Sequence, residues 1–161
     1  MYGANDGVIT TFAVVAGVTG GTLQPVAVLV MGVANLLADG LSMGVGNYLG
    51  IRSDERVREK QALPEQEAFP IKHGIATFIA FVTAGAVPLA PYVLAGGATN
   101  RFAWSTILSL AVLFLIGAAR SRVGIGHWWT NGLEMLGLGT IVGAAAYGSG
   151  AVVAGLVRQY G

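Results

Sequence analysis

The chain has 161 residues, of which 54% are hydrophobic and only 11% charged, with 25 glycines and a formal net charge of +1. So few charges cannot cover a water-facing surface, which argues against a soluble domain, and so small a net charge argues against a nucleic-acid partner. The glycines sit inside long apolar runs, as small residues do where membrane helices pack, and this argues against disorder; the absence of cysteine excludes disulfides, thiolate metal sites and cysteine nucleophiles.

A membrane-spanning helix needs about 20 mostly apolar residues. Five stretches qualify, residues 2–23, 26–51, 71–95, 102–119 and 129–157, and they form one transmembrane domain over 1–161. None alternates with period two, so the expected class is all-α, a polytopic membrane protein with five transmembrane helices. The first stretch has no basic leader and is followed by further spans, so it belongs to the fold and is not a signal peptide. Met1 to Asn5 already read as membrane sequence, which leaves room for a further N-terminal segment in the native chain.

Gln24 and Pro25 separate the first two spans, the Gly96, Gly97 and Asn100 cluster the third from the fourth, and Arg120 to His127 the fourth from the fifth. The one strongly hydrophilic segment, Arg52 to Glu67, lies in the loop 52–70. Arg52, Arg56, Arg58, Lys60, Lys72, Arg120 and Arg122 fall on one side of the membrane and Arg101 and Arg158 on the other. That bias places the 52–70 loop and the N-terminus in the cytosol.

Three acids, Asp6, Asp39 and Glu134, fall within or at the edge of apolar stretches with no Lys or Arg close by on the same helix. An ionised carboxylate at that depth costs roughly 2.5 kcal/mol or more, so it faces a cavity or a partner. Three uncompensated acids in so small a bundle favour a cation path over protonated, hydrogen-bonded structural acids. In the second span Asn35, Asp39, Met43 and Asn47 follow at four-residue spacing, a polar stripe on an apolar helix. Oxygen ligands with a thioether favour iron or manganese over magnesium or calcium, although core packing is the ordinary use of a methionine such as Met43. Asn131, Glu134 and Met135 repeat the set in the last span, while His73 and His127 read as interfacial residues. Glycine pairs at Gly17 and Gly21, Gly40 and Gly44, Gly46 and Gly50, and Gly139 and Gly143 read as helix-packing positions.

The run from Ala4 to Gly17, which contains Asn5, Asp6, Gly7, Thr10 and Thr11, together with Ala38-Asp39-Gly40-Leu41-Ser42-Met43-Gly44 and on to Leu49, resembles the paired signature of the vacuolar iron transporter family. Asn131-Gly132-Leu133-Glu134-Met135 is similar to the start of that family's last span. The resemblance covers almost the whole chain and implies a five-helix homodimer that exports ferrous iron from the cytosol in exchange for protons, with its pathway near the dimer axis. The family's first-span acid falls on Asp6 and its second-span methionine on Met43, while Asn35 and Asn47 stand where some members carry glutamate. The chain departs from the iron transporters of plants and parasites in its loop, where Ser53 to Phe69 replace an extended glutamate-rich metal-binding region, as in short bacterial or nodulin-like members. Glu55 and Glu59, interleaved with Arg56, Arg58 and Lys60, read as a solvated helix extension with local ion pairs.

The expected site is therefore Asp6, Asn35, Asp39, Met43, Asn47 and Glu134, with ferrous iron or another divalent ion, manganese included, as cargo and no prosthetic group. The expected partners are a second copy of the chain, divalent metal ions, protons and the lipid bilayer. The membrane is the plasma membrane if the source is bacterial and an organelle membrane if it is eukaryotic. No motif joins a nucleophile to a base, so an enzyme is not expected. The competing class is a membrane-embedded helical scaffold whose glycines serve packing and whose acids are structural.

Overall fold

The computed structural model describes residues 2–94, 100–122 and 127–160. Among these the secondary structure is helical, with no strand: α1 (Tyr2–Gly20), α2 (Pro25–Lys60), α3 (Pro70–Gly85), the short α4 (Ala90–Leu94), α5 (Arg101–Arg120) and α6 (Trp128–Tyr160). Gly96, Gly97 and residues 123–126, assigned to turns from sequence, lie outside the described residues, as do Ala95 and Met1.

Local chemistry sets the boundaries. Pro25 and Pro70 open α2 and α3, where proline's fixed φ suits a helix and its missing N–H is not needed. Both α1 and α2 end with a non-glycine residue in the left-handed region, Thr22 at φ 56° and Ala62 at φ 54°. The Leu23 N–H then reaches the Val18 carbonyl and the Leu63 N–H the Arg58 carbonyl, closing the last turns.

Two expected elements differ. The third span is not one helix, because Pro88 lacks an N–H and crowds the preceding turn. The chain therefore passes through a 3-10 turn at Val87–Leu89 before α4. The freed Pro88 carbonyl accepts a 2.6 Å bond from the buried Ser105 hydroxyl of α5. The second span continues well past residue 51. At 36 residues it is about 54 Å long, against about 30 Å of hydrocarbon, so several turns project beyond the bilayer.

Among the described residues, four helical segments are long and apolar enough to cross a membrane: Pro25–Lys60, Pro70–Leu94, Arg101–Arg120 and Trp128–Tyr160. The expected first span, α1, is not one of them, because Asn5, Asp6 and its threonines and glycines dilute its apolar content. Burial explains the exception. Val8, Thr11, Val15 and Ala16 are fully buried, and α1 packs against α2, α3, α5 and α6. A helix shielded by four others does not need to be soluble in lipid.

Close backbone approach at glycine makes this enclosure possible. A Cβ on Gly7 would overlap the Phe81 carbonyl of α3, and one on Gly20 would overlap the Tyr147 carbonyl of α6. The apolar core follows α1, with Val15, Val18, Val28, Leu36, Phe81, Leu89 and Tyr92 in one cluster and Val8, Leu113 and Met135 in another. Long-range contacts fix the direction of each helix. Gly3 meets Thr77, Gly44 meets Gly74 and Gly117 meets Asn131 at one end, while Thr19 meets Tyr92, Phe102 stacks on Tyr147 and Arg158 donates to Thr22 at the other. Arg52, Arg56, Arg58, Lys60, Lys72, Arg120 and Arg122 thus gather at the end where α1 begins, and Arg101 and Arg158 lie at the opposite end.

Candidate metal centre

The polar stripe of α2 runs beside its buried stripe. Leu36, Gly40 and Gly44 face the bundle. Asn35, Asp39 and Met43 each precede one of them, about 100° around the helix, and are half-buried at the border where α1 meets α2.

At that border Thr10 Oγ1 donates to the Asp6 carbonyl at 2.9 Å and accepts from Asn35 Nδ2 at 3.5 Å. The Asp39 carboxylate lies within electrostatic range of the Asp6 carboxylate, and no cation among the described residues bears on Asp6. Thr10 and Asn35 thus join two otherwise apolar helices through a polar contact, with the Asp6 and Asp39 carboxylates beside it. Two like charges within range of one another repel where water screens them poorly, and either a proton or a cation relieves the repulsion.

Toward the end where α1 begins, Met43 and Asn47 line an open cavity of about 770 Å³ shared with Gly3, Asp54, His73 and Thr77. Asn47 Nδ2 donates to Thr77 Oγ1 at 2.8 Å and to the His73 carbonyl at 3.3 Å. The residues expected at the site therefore fall into two groups, Asp6, Asn35 and Asp39 along the border of α1 and α2, and Met43 and Asn47 on the cavity wall. Glu134 joins neither: it is exposed on α6, while its neighbour Met135 is buried against Val8 and Leu113. Among the described residues no three His, Asp or Glu side chains converge tightly enough to hold a metal ion.

His73 does more than mark a membrane edge. Its Nε2 lies 2.8 Å from Glu67 Oε2, and Glu67 Oε1 accepts the Phe69 N–H. These bonds, the Phe69 N–H first, hold the Glu67 carboxyl below the usual carboxylate range. The ion pairs expected among Glu55, Glu59, Arg56, Arg58 and Lys60 do not form among the described residues. Glu55 instead accepts the Gln66 and Glu67 N–H groups, and Arg58 donates to the Pro64 carbonyl. Backbone groups freed where α2 stops compete for these side chains and win. His127 is exposed beside Trp129, as an interfacial residue is.

The VIT family sequence model matches residues 1–69 and 56–151, nearly the whole chain. The chain belongs to the VIT family. As a VIT-family protein it is 26% identical to the vacuolar iron transporter of Toxoplasma gondii, over 95% of this chain and 72% of the relative. It is also 26% identical to vacuolar iron transporter 1 of Arabidopsis thaliana, over 91% of this chain and 82% of the relative. A 48-residue stretch is 42% identical to the vacuolar iron transporter of Plasmodium falciparum. The Toxoplasma alignment runs over 220 positions, so that relative carries residues this 161-residue VIT-family chain lacks. The two parts of the family match meet at 56–69, within the short loop.

Sequence reasoning missed Thr10 and Thr77. The available signal was their position: Thr10 stands four residues after Asp6, and Thr77 four after His73, each one turn along the same helix face.

Proposed function

We propose that this protein moves divalent transition-metal ions across a membrane, ferrous iron first among them, exporting them from the cytosol in exchange for protons. The observation that carries this reading is the Asn35–Thr10 bond between two membrane-embedded helices, with Asp6 and Asp39 beside it within electrostatic range of one another. A divalent ion and a proton are the two species that relieve such a pair, and alternation between them is the chemistry of metal-proton exchange. The iron transporters of Toxoplasma and Arabidopsis named above support the choice of cargo. Met43 on the neighbouring cavity wall adds a soft ligand that favours iron or manganese.

We further propose that the working unit is a homodimer with the pathway near its axis. Supporting this are Asp6, Ile9, Ala13 and Gly17, half-buried residues that share one side of α1. Gly46 and Gly50 of α2 also have nothing within 4 Å of where a Cβ would stand. A second copy supplies donors that one chain does not gather. The excess of cations at the end where α1 begins supports a cytosolic N-terminus, and the vacuolar relatives support an organelle membrane if the source is eukaryotic.

Reconstitution tests this reading. Purified protein in liposomes containing a metal-sensing dye carries ferrous iron, and the flux slows when an opposing pH gradient is collapsed. Flux indifferent to the gradient leaves a uniporter, and no flux of any divalent ion favours a helical scaffold.

A further inference from the structure

Two amides of α2 are anchored in the same way. Asn35 gives its NH2 group to Thr10 on α1, at 3.5 Å, and Asn47 gives its NH2 group to Thr77 on α3, at 2.8 Å. Neither amide can be turned around. The Thr10 hydroxyl proton is committed to the Asp6 carbonyl at 2.9 Å, so its oxygen has only acceptor capacity left. The His73 carbonyl, which also takes a bond from Asn47 at 3.3 Å, can only accept. Both acceptors must therefore meet Nδ2, and in a planar amide this turns Oδ1 the other way.

We propose that Thr10 and Thr77 are positioning residues that fix Asn35 and Asn47 with their carbonyl oxygens directed at the cation route. The inference rests on the transport reading and deepens it. A freely rotating amide presents a donor NH2 as readily as an acceptor oxygen, and the donor repels a cation. With its NH2 group engaged, each amide has only its oxygen left to offer, a ligand without charge. Asn47 shows this most directly, since it lines the cavity shared with Met43 and its donor side is already engaged. A neutral oxygen holds a divalent ion less tightly than a carboxylate, which suits a route the ion must leave as well as enter.

The test compares Thr77→Val, which keeps the shape and removes the hydroxyl, with Thr77→Ser, which keeps the hydroxyl. Flux of manganese and of ferrous iron is measured in liposomes over a range of concentrations. The His73 carbonyl still holds one N–H of Asn47 in the valine variant, so the expected result is a KM raised about two- to fivefold, in line with one of two orienting hydrogen bonds lost, with the maximal rate within about twofold of the parent. The serine variant should keep the parental KM. Asn47→Ala should raise KM similarly, and adding Thr77→Val to it should change little further, because the hydroxyl then has nothing to orient. If Thr77→Val fails to fold, Thr77→Ala takes its place in the comparison.

A parental KM in the valine or alanine variant overturns the inference, as does an equal rise in the serine and valine variants. So does a full additional effect in the Asn47→Ala background. A parent that transports neither ion overturns the transport reading, and this inference falls with it.

Discussion

The side chain of Asp39 on α2 lies within electrostatic reach of that of Asp6 on α1, and one turn further along the same contact Asn35 bonds to Thr10. Replacing Asp39 by Asn keeps the size and removes one of the two charges. Metal flux in liposomes should fall at least about tenfold while the thermal midpoint in detergent stays level or rises, because like-charge repulsion is removed. Parental flux in the variant would exclude Asp39 from the path.

Met43 is half-buried, packs beside the Leu36 and Phe81 cluster and also lines the cavity with Asn47. Leucine nearly matches its volume, so Met43→Leu should cost under about 1.5 kcal/mol. Ferrous iron flux should drop several-fold more than magnesium flux in a competition assay, since only the softer ion uses the thioether. An unchanged ion preference would assign Met43 to packing alone.

Gly7→Ala and Gly46→Ala should behave oppositely. At Gly7 the new Cβ overlaps the Phe81 carbonyl, so α1 and α3 must separate, with a cost of roughly 1–3 kcal/mol. At Gly46 nothing stands within 4 Å, so a single chain gains up to about 1 kcal/mol of helix propensity. If a second copy packs there, the same change weakens the dimer. Thermal unfolding together with mass determination in detergent separates the two effects. A harmless Gly7→Ala would contradict the close α1 and α3 approach.

Ala62 closes α2 at φ 54°, a conformation that glycine adopts without the Cβ penalty. Ala62→Gly should therefore strengthen the end of α2 by roughly 0.5–1 kcal/mol after the extra entropy of the unfolded glycine is counted. Slower hydrogen exchange at the Leu63 amide, which bonds to the Arg58 carbonyl, is the readout. Faster exchange would refute it.

The Glu67 carboxyl sits below the usual range because it accepts the Phe69 N–H and, next, pairs with His73. For a value lowered by folding, the stabilisation is complete above the unfolded glutamate value, about 4.3, and disappears as pH falls through the folded one. Protection of the Phe69 amide should thus exceed that in Glu67→Gln at neutral pH and converge on it only in acid. Convergence starting above about pH 5 would contradict this assignment.

Much of this was legible in the sequence. The four-residue spacing of Asn35, Asp39, Met43 and Asn47 put them on one stripe because helix geometry leaves no alternative, and Asp6 stood out as a charge without a partner. What no spacing along a single helix reveals is which neighbour meets the stripe. Thr10 and Thr77 therefore went unnoticed, since a threonine in an apolar helix ordinarily bonds to its own backbone, as Thr19 and Thr83 do. The exposed position of Glu134 was hidden for the same reason. The break at Pro88 was readable from proline chemistry but masked by the apolar run around it. Gly46 and Gly50 look like any other small-residue pair, yet within the chain they pack on nothing.

The enclosure of α1 also bears on how the protein is made. In chain order, the helix that lipid holds least well precedes every helix that shields it, and its partners at Gly17 and Gly20 lie on α6, the last helix. A translocon that releases segments according to their apolarity has little reason to release α1 early. Secure insertion of α1 thus waits on synthesis of α6, and ribosome-stalled chains lacking α6 should leave α1 extractable or open to protease, so that a truncated product is left without its centre and exposed to quality control.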